Sequence, residues 1–432
     1  MSRLQNLLPQ RRLHNQASNQ KSSQLNNKLL ILNALRHQSR SRAALADMSG
    51  LTRAAITGLV EQLIQSGLIC ETKPVTVKAG RKPVLLSIRP DYASILSLNL
   101  SRRGSAVGLA DFSGNIISSR KLHDINPDNI ASATTHAVNA LLAENNVVSR
   151  RILAMGITAP GPLDRNEGVI LNPPEFDQFH YFPVAETISR AFKSAFPVYL
   201  ENNAAASAMA EYYMGCAAQF SHFLVLTVDS GIGGGLYIDH QAYSGLNGFG
   251  SEIGHTSINY TGPLCACGSR GCVERYASIP QLLSFGRLNW QKWLAELNQT
   301  SFSDDQSQRN LLNLSDMKEP PASWKEIIDR AETGDCLCKR LIQQEADFLS
   351  IAMINIKNLL EPQAIVISGD IAYKPAIILE SMDQSVNGKG ITRNIQHIKL
   401  LASTLNLDDG LTSATALVLQ HQTQNEELLR SK

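Results

Sequence analysis

The sequence predicts an α/β protein in which a small winged helix-turn-helix domain precedes a larger domain of strands that alternate with helices. Two features predict this arrangement. Residues 1–90 carry 14 Lys and Arg against 3 Asp and Glu, whereas the remainder carries 26 against 35. At Pro90 the apolar pattern also changes, from helical spacing to short buried strands that end in glycine turns. We therefore expect a basic head on an acidic body.

The composition is that of an ordinary globular protein. With 432 residues, 43% of them hydrophobic and 18% charged, the chain is long enough for two or three domains. No apolar run approaches the roughly 18 residues that cross a bilayer, and the first residues contain no apolar signal core. Free thiols among the seven cysteines fit a reducing compartment better than a secreted disulfide framework. We expect a cytoplasmic protein with no membrane partner.

The head divides into a flexible basic arm, residues 1–25, and a winged helix-turn-helix domain, residues 26–90. The arm is rich in Gln, Asn, Ser and Arg, a composition that buries little apolar surface. Apolar residues at helical spacing then predict a helix from Asn27 to about Gln38. Ser41 is positioned to cap a second, short helix.

A tight turn and a third helix complete the helix-turn-helix. Gly50 supplies a left-handed turn residue, and Thr52 caps a helix over residues 53–65. In such a motif the helix after the turn enters the major groove of DNA. A β-hairpin follows, and the loop between its strands is a wing suited to phosphate or a narrow minor groove. The candidate DNA-binding residues are Thr52, Arg53, Ala54 and Thr57 on the helix and Arg81 and Lys82 in the wing. The alternative is a three-helix interaction module with a solvated basic face.

A cysteine-rich loop, residues 250–278, predicts a metal site. Three cysteines are spaced C-x-C-x4-C, and a histidine lies ten residues before the first. Three thiolates and one imidazole form the closed tetrahedral set that structural zinc prefers. The alternative is a glycine-rich loop with buried free thiols. We expect one structural zinc ion per chain, held by His255, Cys265, Cys267 and Cys272.

The body is predicted to contain parallel α/β layers. Residues 95–100 and 105–111 predict an opening hairpin, and residues 204–213 predict a helix. Residues 229–235 are a glycine-rich turn at the end of a strand, the usual position of a ligand crevice in such layers. Further strands are predicted at residues 152–158, 198–201, 223–228 and 364–368.

Several motifs resemble the ROK family of repressors and sugar kinases. They are EIGH at 252–255, CxCGxxGCxE at 265–274, APGPLD at 159–164, ENNAAASAMAE at 201–211 and DSGIGGGLYID at 229–239. The resemblance implies a two-lobed, actin-like ATPase (ribonuclease H-like) sugar-kinase fold over residues 91–432. Residues 297–322, which are polar and contain proline, are expected to be an inserted loop. The winged helix resembles the family's repressor branch.

The resemblance also implies that kinase chemistry has been lost. The family's kinases have a catalytic Asp where this chain has Asn203, and an amide is far too weak a base to accept a hydroxyl proton. Their first phosphate loop, D-x-G-x-T, is matched by Asn99 to Arg103, in which the Asp, Gly and Thr are all replaced. We expect no catalytic residue and no enzyme activity.

Binding of a sugar is still expected, because carboxylates and amides can bind vicinal hydroxyls. The positions that match the family's sugar ligands are Gly161, Asn202, Asn203, Glu252, His255 and Glu274. The resemblance therefore implies a transcriptional regulator, as a repressor, that binds operator DNA and a sugar or sugar phosphate and forms a homodimer or tetramer. Three alternatives stay open: an active sugar kinase with an added DNA-binding domain, a repressor controlled by a protein partner, and an activator.

Overall fold

The computed structural model describes residues 20–72, 84–147, 151–245, 248–300, 319–405 and 410–424. The chain divides into two compact units, and the division falls between Arg89 and Pro90. The predicted wing residues Arg81 and Lys82 lie outside the described residues.

The first unit has the predicted helix-turn-helix, and each helix begins where its cap was predicted. Ser41 Oγ accepts a hydrogen bond from Ala44 N, and Thr52 Oγ1 accepts one from Ala55 N, each at 3.2 Å. Gly50 between them has φ +70°. A small antiparallel sheet of order β1-β3-β2 packs beside the helices. The elements are α1 (Gln20–His37), β1 (Arg40–Ser41), α2 (Arg42–Ser49), α3 (Arg53–Gln65), β2 (Ile69–Thr72) and β3 (Leu85–Ile88).

The predicted C-terminal boundary of the flexible arm, residue 25, lies too late in the sequence. Residues 20–25 form the start of α1, whereas the sequence places the helix start at Asn27. Gln24 contacts Gln62 of α3, with 3.4 Å between the side-chain amide nitrogen and oxygen. A polar stretch gives no apolar period, so sequence reasoning missed a helix that continues beyond its buried residues.

The second unit begins with a five-stranded sheet, which we call lobe 1. Two helices cover one face, and a third lies so close to the other that a Cβ on Gly156 would be 2.0 Å from Ala414 O. Close packing of that helix therefore requires glycine in the strand. The sheet's strands are β4 (Ser94–Asn99), β5 (Ser105–Asp111), β6 (Ile116–Leu122), β7 (Ile152–Ala159) and β10 (Val198–Asn202). Across the sheet they lie in the order β10-β7-β4-β5-β6. The helices are α4 (Ile130–Glu144), α5 (Val184–Ala191) and the C-terminal Leu411–Gln424. A short pair, β8 (Leu163–Asp164) and β9 (Val169–Ile170), follows β7.

A second five-stranded sheet forms lobe 2. Its helices pack against an apolar core that contains Trp290, Trp293 and Trp324. Its strands are β11 (Phe223–Val228), β12 (Ile232–Ile238), β13 (Gln241–Tyr243), β14 (Ala364–Ser368) and β15 (Lys399–Ala402). Across the sheet they lie in the order β13-β12-β11-β14-β15. The helices are α7 (Glu274–Ala277), α8 (Ile279–Thr300), α9 (Trp324–Glu332), α10 (Cys336–Leu360) and α11 (Ala376–Gly388). The C-terminal helix of lobe 1 is α12. Short 3-10 helices lie at Pro90–Tyr92, Asp177–Phe179, Ile253–His255 and Asp370–Ala372.

One helix crosses from lobe 1 to lobe 2. Helix α6 (Asn203–Tyr213) starts at the end of β10 and packs against β12 of the other lobe. A Cβ on Gly235 would lie 2.1 Å from Ala204 O, so the close approach of α6 requires this glycine. The predicted glycine-rich turn at residues 229–235 is wrong from Ile232 onward, where β12 begins. These glycines lie in β12 because the helix packs directly on the strand.

The predicted body strands are all present, each within one residue of its predicted bounds. The predicted insertion starts too early, since α8 continues to Thr300 and Leu297 packs against the core of lobe 2. Most of residues 297–322 lie outside the described residues. None of the described helices is both long and apolar enough to span a lipid bilayer.

Candidate functional site

Four candidate metal ligands converge on one point in the loop after β13. Cys267 Sγ and Cys272 Sγ are 3.6 Å apart. Cys265 Sγ is also 3.6 Å from His255 Nδ1. Sulfurs held about 2.3 Å from a tetrahedral zinc ion are separated by about 3.8 Å, so this donor set fits a structural zinc ion. The ligand atoms that lie within 4.8 Å of one another are those of His255, Cys265, Cys267 and Cys272.

Backbone hydrogen bonds shape the metal loop. Cys265 N donates to Ser269 O at 2.8 Å, and Gly268 N donates to Cys265 O at 3.0 Å. Gly271 has φ +67°, and a Cβ there would lie 1.7 Å from Asn259 O. This glycine is therefore required for the turn that brings the last cysteine back to the first two.

The predicted sugar ligands meet at the carboxyl ends of β7 and β10. These strands are parallel and in register, with Ala159 beside Asn202. A Cβ on Gly161, in the turn after β7, would lie 2.4 Å from Asn202 Nδ2 and 3.5 Å from Glu252 Oε1. Glycine at this position therefore leaves room for both polar side chains.

Two carboxylates, Glu252 and Glu274, lie at this point. Glu274 Oε2 accepts a hydrogen bond from Ile232 N at 2.9 Å, which fixes it at the start of β12. Burial raises the pKa of the Glu252 carboxyl. The nearby imidazole of His255 opposes this rise in pKa, and the negative charge of Glu274 adds to it. Glu252 therefore interacts with one metal-loop residue and one pocket carboxylate at the same time.

Asn203 presents an unused hydrogen-bond acceptor. Its neighbour Asn202 caps α6, because Asn202 Oδ1 accepts from Ala204 N at 2.8 Å. Asn203 Oδ1 is buried and has no hydrogen-bond partner among the described residues. A buried acceptor left without a partner costs about 1–3 kcal/mol, so this atom is suited to a ligand hydroxyl.

Sequence reasoning missed an ion pair that supports the pocket. Glu201 is 2% exposed, and its Oε2 lies 3.0 Å from Arg165 Nη1. Its other oxygen accepts from Asn202 N at 2.9 Å. The pair thus joins the loop after β8 to the end of β10, which carries Asn202 and leads into Asn203 of α6. Glu201 is the first residue of the motif at 201–211, but no local spacing relates it to Arg165.

Asn99, the first residue of the segment that matches the first phosphate loop, makes contacts within the protein. Asn99 Oδ1 accepts a hydrogen bond from Thr158 Oγ1 at 2.9 Å. A Cβ on Gly410 would lie 2.4 Å from the Asn99 side chain, so this amide is tightly packed. Asn99 therefore helps to hold neighbouring strands and the start of α12 in place.

The predicted helix contacts to DNA lie at the N-terminal end of α3. Thr52, Arg53 and Ala54 are exposed. Thr57 is only half-exposed, and its hydroxyl donates to Arg53 O at 2.8 Å. Thr57 is therefore less available to a base edge than the other three residues.

Comparison with known proteins identifies relatives of the whole chain. A protein-family profile described as "ROK family" matches residues 96–421. A xylose repressor of Caldicellulosiruptor bescii is 26% identical over 384 residues, which cover 88% of this chain and 92% of the repressor. The crystal structure of a ROK family transcriptional regulator, a homologue of the Escherichia coli Mlc protein, matches with a TM-score of 0.71 and 25% identity. That match covers 95% of this chain and 98% of the regulator.

The structure of a kinase matches a smaller share of this chain. A ROK family glucokinase from Streptomyces griseus, solved with glucose and AMPPNP, matches with a TM-score of 0.60 and 25% identity. The match covers 100% of the glucokinase but 76% of this chain. About a quarter of this chain therefore has no counterpart in that kinase.

Proposed function

This chain belongs to the ROK family, and we propose that it is a DNA-binding transcriptional repressor that senses a sugar or sugar derivative without phosphorylating it. Named relatives support the regulatory part, since they include xylose repressors and the Mlc and NagC regulators. The helix-turn-helix unit supplies the DNA-binding part. The body supplies a polar pocket beside a metal loop.

The observation that carries the proposal is the state of Asn203. Its Oδ1 is a buried acceptor with no partner among the described residues, at the position that the catalytic Asp occupies in the family's kinases. An amide oxygen accepts a hydrogen bond from a sugar hydroxyl but does not remove the proton. Loss of a positioned general base typically lowers a rate by about 10²–10⁴-fold. Sugar binding is therefore retained and phosphoryl transfer is lost.

Each pocket residue has a defined role in this proposal. Glu252 and Glu274 accept hydrogen bonds from vicinal hydroxyls, and Asn202 and Asn203 bind the neighbouring ones. Gly161 leaves the space that lets the Asn202 and Glu252 side chains lie together beside the sugar. His255 would hold a structural zinc ion through Nδ1, which lies beside Cys265 Sγ, and its other ring nitrogen would be available to the sugar. Metal and sugar binding are therefore coupled through one imidazole.

The head reads DNA through α3, with Arg53 for base edges and Arg81 and Lys82 for the phosphate backbone. Two heads in a homodimer or tetramer read two half-sites of the operator. Sugar binding favours a body conformation in which the heads no longer match the half-site spacing. The ligand shifts this equilibrium only by its differential affinity for the two conformations. Such a regulator works in the cytoplasm, where thiolates that hold zinc stay reduced.

A thermal-shift screen of the full chain tests the sugar-sensing part. The panel contains neutral pentoses, neutral hexoses, N-acetylhexosamines and their phosphates, each at millimolar concentration. At 100 times its dissociation constant a ligand stabilises the folded state by about 2.7 kcal/mol, which raises the melting temperature by several degrees. One class should give such a shift with wild type, and Glu252→Gln should abolish it.

The matched control for that variant is Glu186→Gln, a change at an exposed carboxylate of lobe 1 that pairs with its helix neighbour Arg190. This control should respond to the sugar like wild type. A coupled assay for ADP, run with the same panel and ATP, should show no turnover. Turnover at a rate typical of sugar kinases would establish the enzyme alternative instead.

A further inference from the structure

An arginine of lobe 1 lies between two aspartates of lobe 2. Arg103 is in the turn that joins β4 to β5. Its Nη2 lies 3.4 Å from Asp370 Oδ2, and its Nη1 lies 3.7 Å from Asp229 Oδ1. These ion pairs link residues that are 267 and 126 positions apart in the sequence. They join the two lobes of one unit across the cleft.

The two aspartates are brought together by the topology of lobe 2. Asp229 follows β11 and Asp370 follows β14, which are adjacent parallel strands with Thr227 beside Ser368. Asp229 Oδ1 also accepts a hydrogen bond from Asp370 N at 2.7 Å. Both carboxylates lie near the same guanidinium, and a cation between two carboxylates offsets their mutual repulsion. Arg103 supplies that positive charge from the opposite lobe.

Both sides of the contact are anchored. After Asp370, the Tyr373 hydroxyl donates to Asp329 Oδ1 of α9 at 3.0 Å, and Lys374 pairs with the same oxygen at 2.8 Å. On lobe 1, the neighbouring Arg102 Nε donates to Pro174 O at 2.8 Å. The guanidinium and the aspartates are therefore presented by segments that are themselves held in place.

Arg103 also occupies an informative position in the chain. It stands where the family's first phosphate loop has its Thr, and its partner Asp229 opens the segment that matches the second phosphate loop. The contact between lobes is thus made by protein side chains on both borders of the region that corresponds to the phosphate site. No nucleotide is needed to connect these borders.

We propose that Arg103 is a latch that holds the two lobes together without a nucleotide, through its ion pairs with Asp229 and Asp370. The Arg103 side chain is 53% exposed, and those of Asp229 and Asp370 are 29% and 47% exposed. Exposed pairs are weak and screened by salt, so the latch is a reversible contact. It sets how often the cleft opens and leaves each lobe intact.

Hydrogen exchange of the full chain, measured by mass spectrometry without sugar or DNA, tests the latch. In Arg103→Ala, peptides that cover residues 101–104 and 369–374 should exchange about two- to fivefold faster, the range expected for loss of exposed ion pairs. Raising NaCl from 50 to 500 mM should speed exchange at both segments in wild type and have little further effect in the variant. Arg103→Lys should restore part of the protection.

The matched control is Arg120→Ala, because Arg120 pairs with Glu144 inside lobe 1. This variant should leave exchange at both cleft segments unchanged. Wild-type exchange at both segments in Arg103→Ala, or the same acceleration in Arg120→Ala, would overturn the proposal. Since the measurement needs neither sugar nor DNA, such a failure would leave the proposed sugar-sensing function untouched.

Discussion

Arg165 and Glu201 form the ion pair on which the geometry of the candidate pocket rests. Their side chains meet at 3.0 Å, and the Glu201 side chain is 3% exposed. Burial raises the pKa of the Glu201 carboxyl, and the positive charge of Arg165 opposes that rise. The carboxylate in turn accepts a hydrogen bond from Asn202 N, so the position of Asn202 at the end of β10, next to Asn203, depends on Arg165.

Arg165→Ala should therefore destabilise the protein by about 2 kcal/mol. Removal of one partner of a buried pair costs about 3–5 kcal/mol, and partial exposure of Arg165 lowers this. Without Arg165 the folded-state pKa of Glu201 rises further above its unfolded value. A raised carboxyl pKa makes stability fall as pH rises, so the loss should be larger at pH 8 than at pH 5. Denaturant unfolding at both pH values measures this.

Arg190→Ala is the control for that experiment, since Arg190 makes an exposed pair with Glu186 on lobe 1. It should cost less than about 1 kcal/mol at either pH. An equal, pH-independent loss in the two variants would show that Arg165 does not support the buried carboxylate.

Cys267→Ser should lower the zinc content to well below one ion per chain and reduce thermal stability with it. The four ligand atoms lie within 4.8 Å of one another, so loss of one donor leaves an open, weaker site. Metal analysis and melting curves of the same samples measure both effects. Cys336→Ser, outside the cluster, should keep the metal. A stable, fully zinc-loaded Cys267→Ser protein would show that the assignment of the zinc site is wrong.

Arg53→Ala should relax sequence preference more than it weakens DNA binding overall. Arg53 is exposed at the start of α3, where a bidentate contact to a base edge discriminates by about 1–3 kcal/mol. Binding to a set of single-base operator variants measures this, with Gln65→Ala at the far end of α3 as control. An unchanged preference in Arg53→Ala would reject this docking of the helix.

Glu345→Gln should make stability less dependent on pH. Glu345 is fully buried in α10, and neither carboxylate oxygen has a partner among the described residues. Burial raises the pKa of this carboxyl well above its ordinary value. The wild type should therefore lose stability as pH rises above about 4.5, and the variant should lose less. Unfolding from pH 5 to 9 measures this, and exposed Glu380→Gln should behave like wild type.

Local signals in the sequence predicted the helices of the helix-turn-helix and several strands of the body. Ser41 and Thr52 cap their helices as predicted, because an N-cap depends on a hydroxyl and the next few amides. The metal ligands were predicted because Cys265, Cys267 and Cys272 are close in the sequence. Body strands were found within one residue because their apolar runs are bounded by polar turns.

Long-range relationships were not predictable in the same way. Arg165 pairs with Glu201 across 36 positions and Arg103 with Asp370 across 267, and no periodicity reports such distances. Gly235 was assigned to a turn because glycine favours turns, whereas packing of α6 against β12 requires it in a strand. In each case the deciding partner lies on another element.

The central claim is that a sugar bound in the body releases operator DNA without being phosphorylated. The most direct test measures fluorescence anisotropy of an operator, selected from random DNA by the purified chain, with and without the sugar found by thermal shift. With no ATP present, the sugar should weaken operator binding by at least about tenfold, within the usual range of coupling between two sites. Added ATP should change nothing, and Glu252→Gln should bind DNA without responding to the sugar. Operator affinity that is indifferent to the sugar, or release that requires ATP and yields ADP, would contradict it.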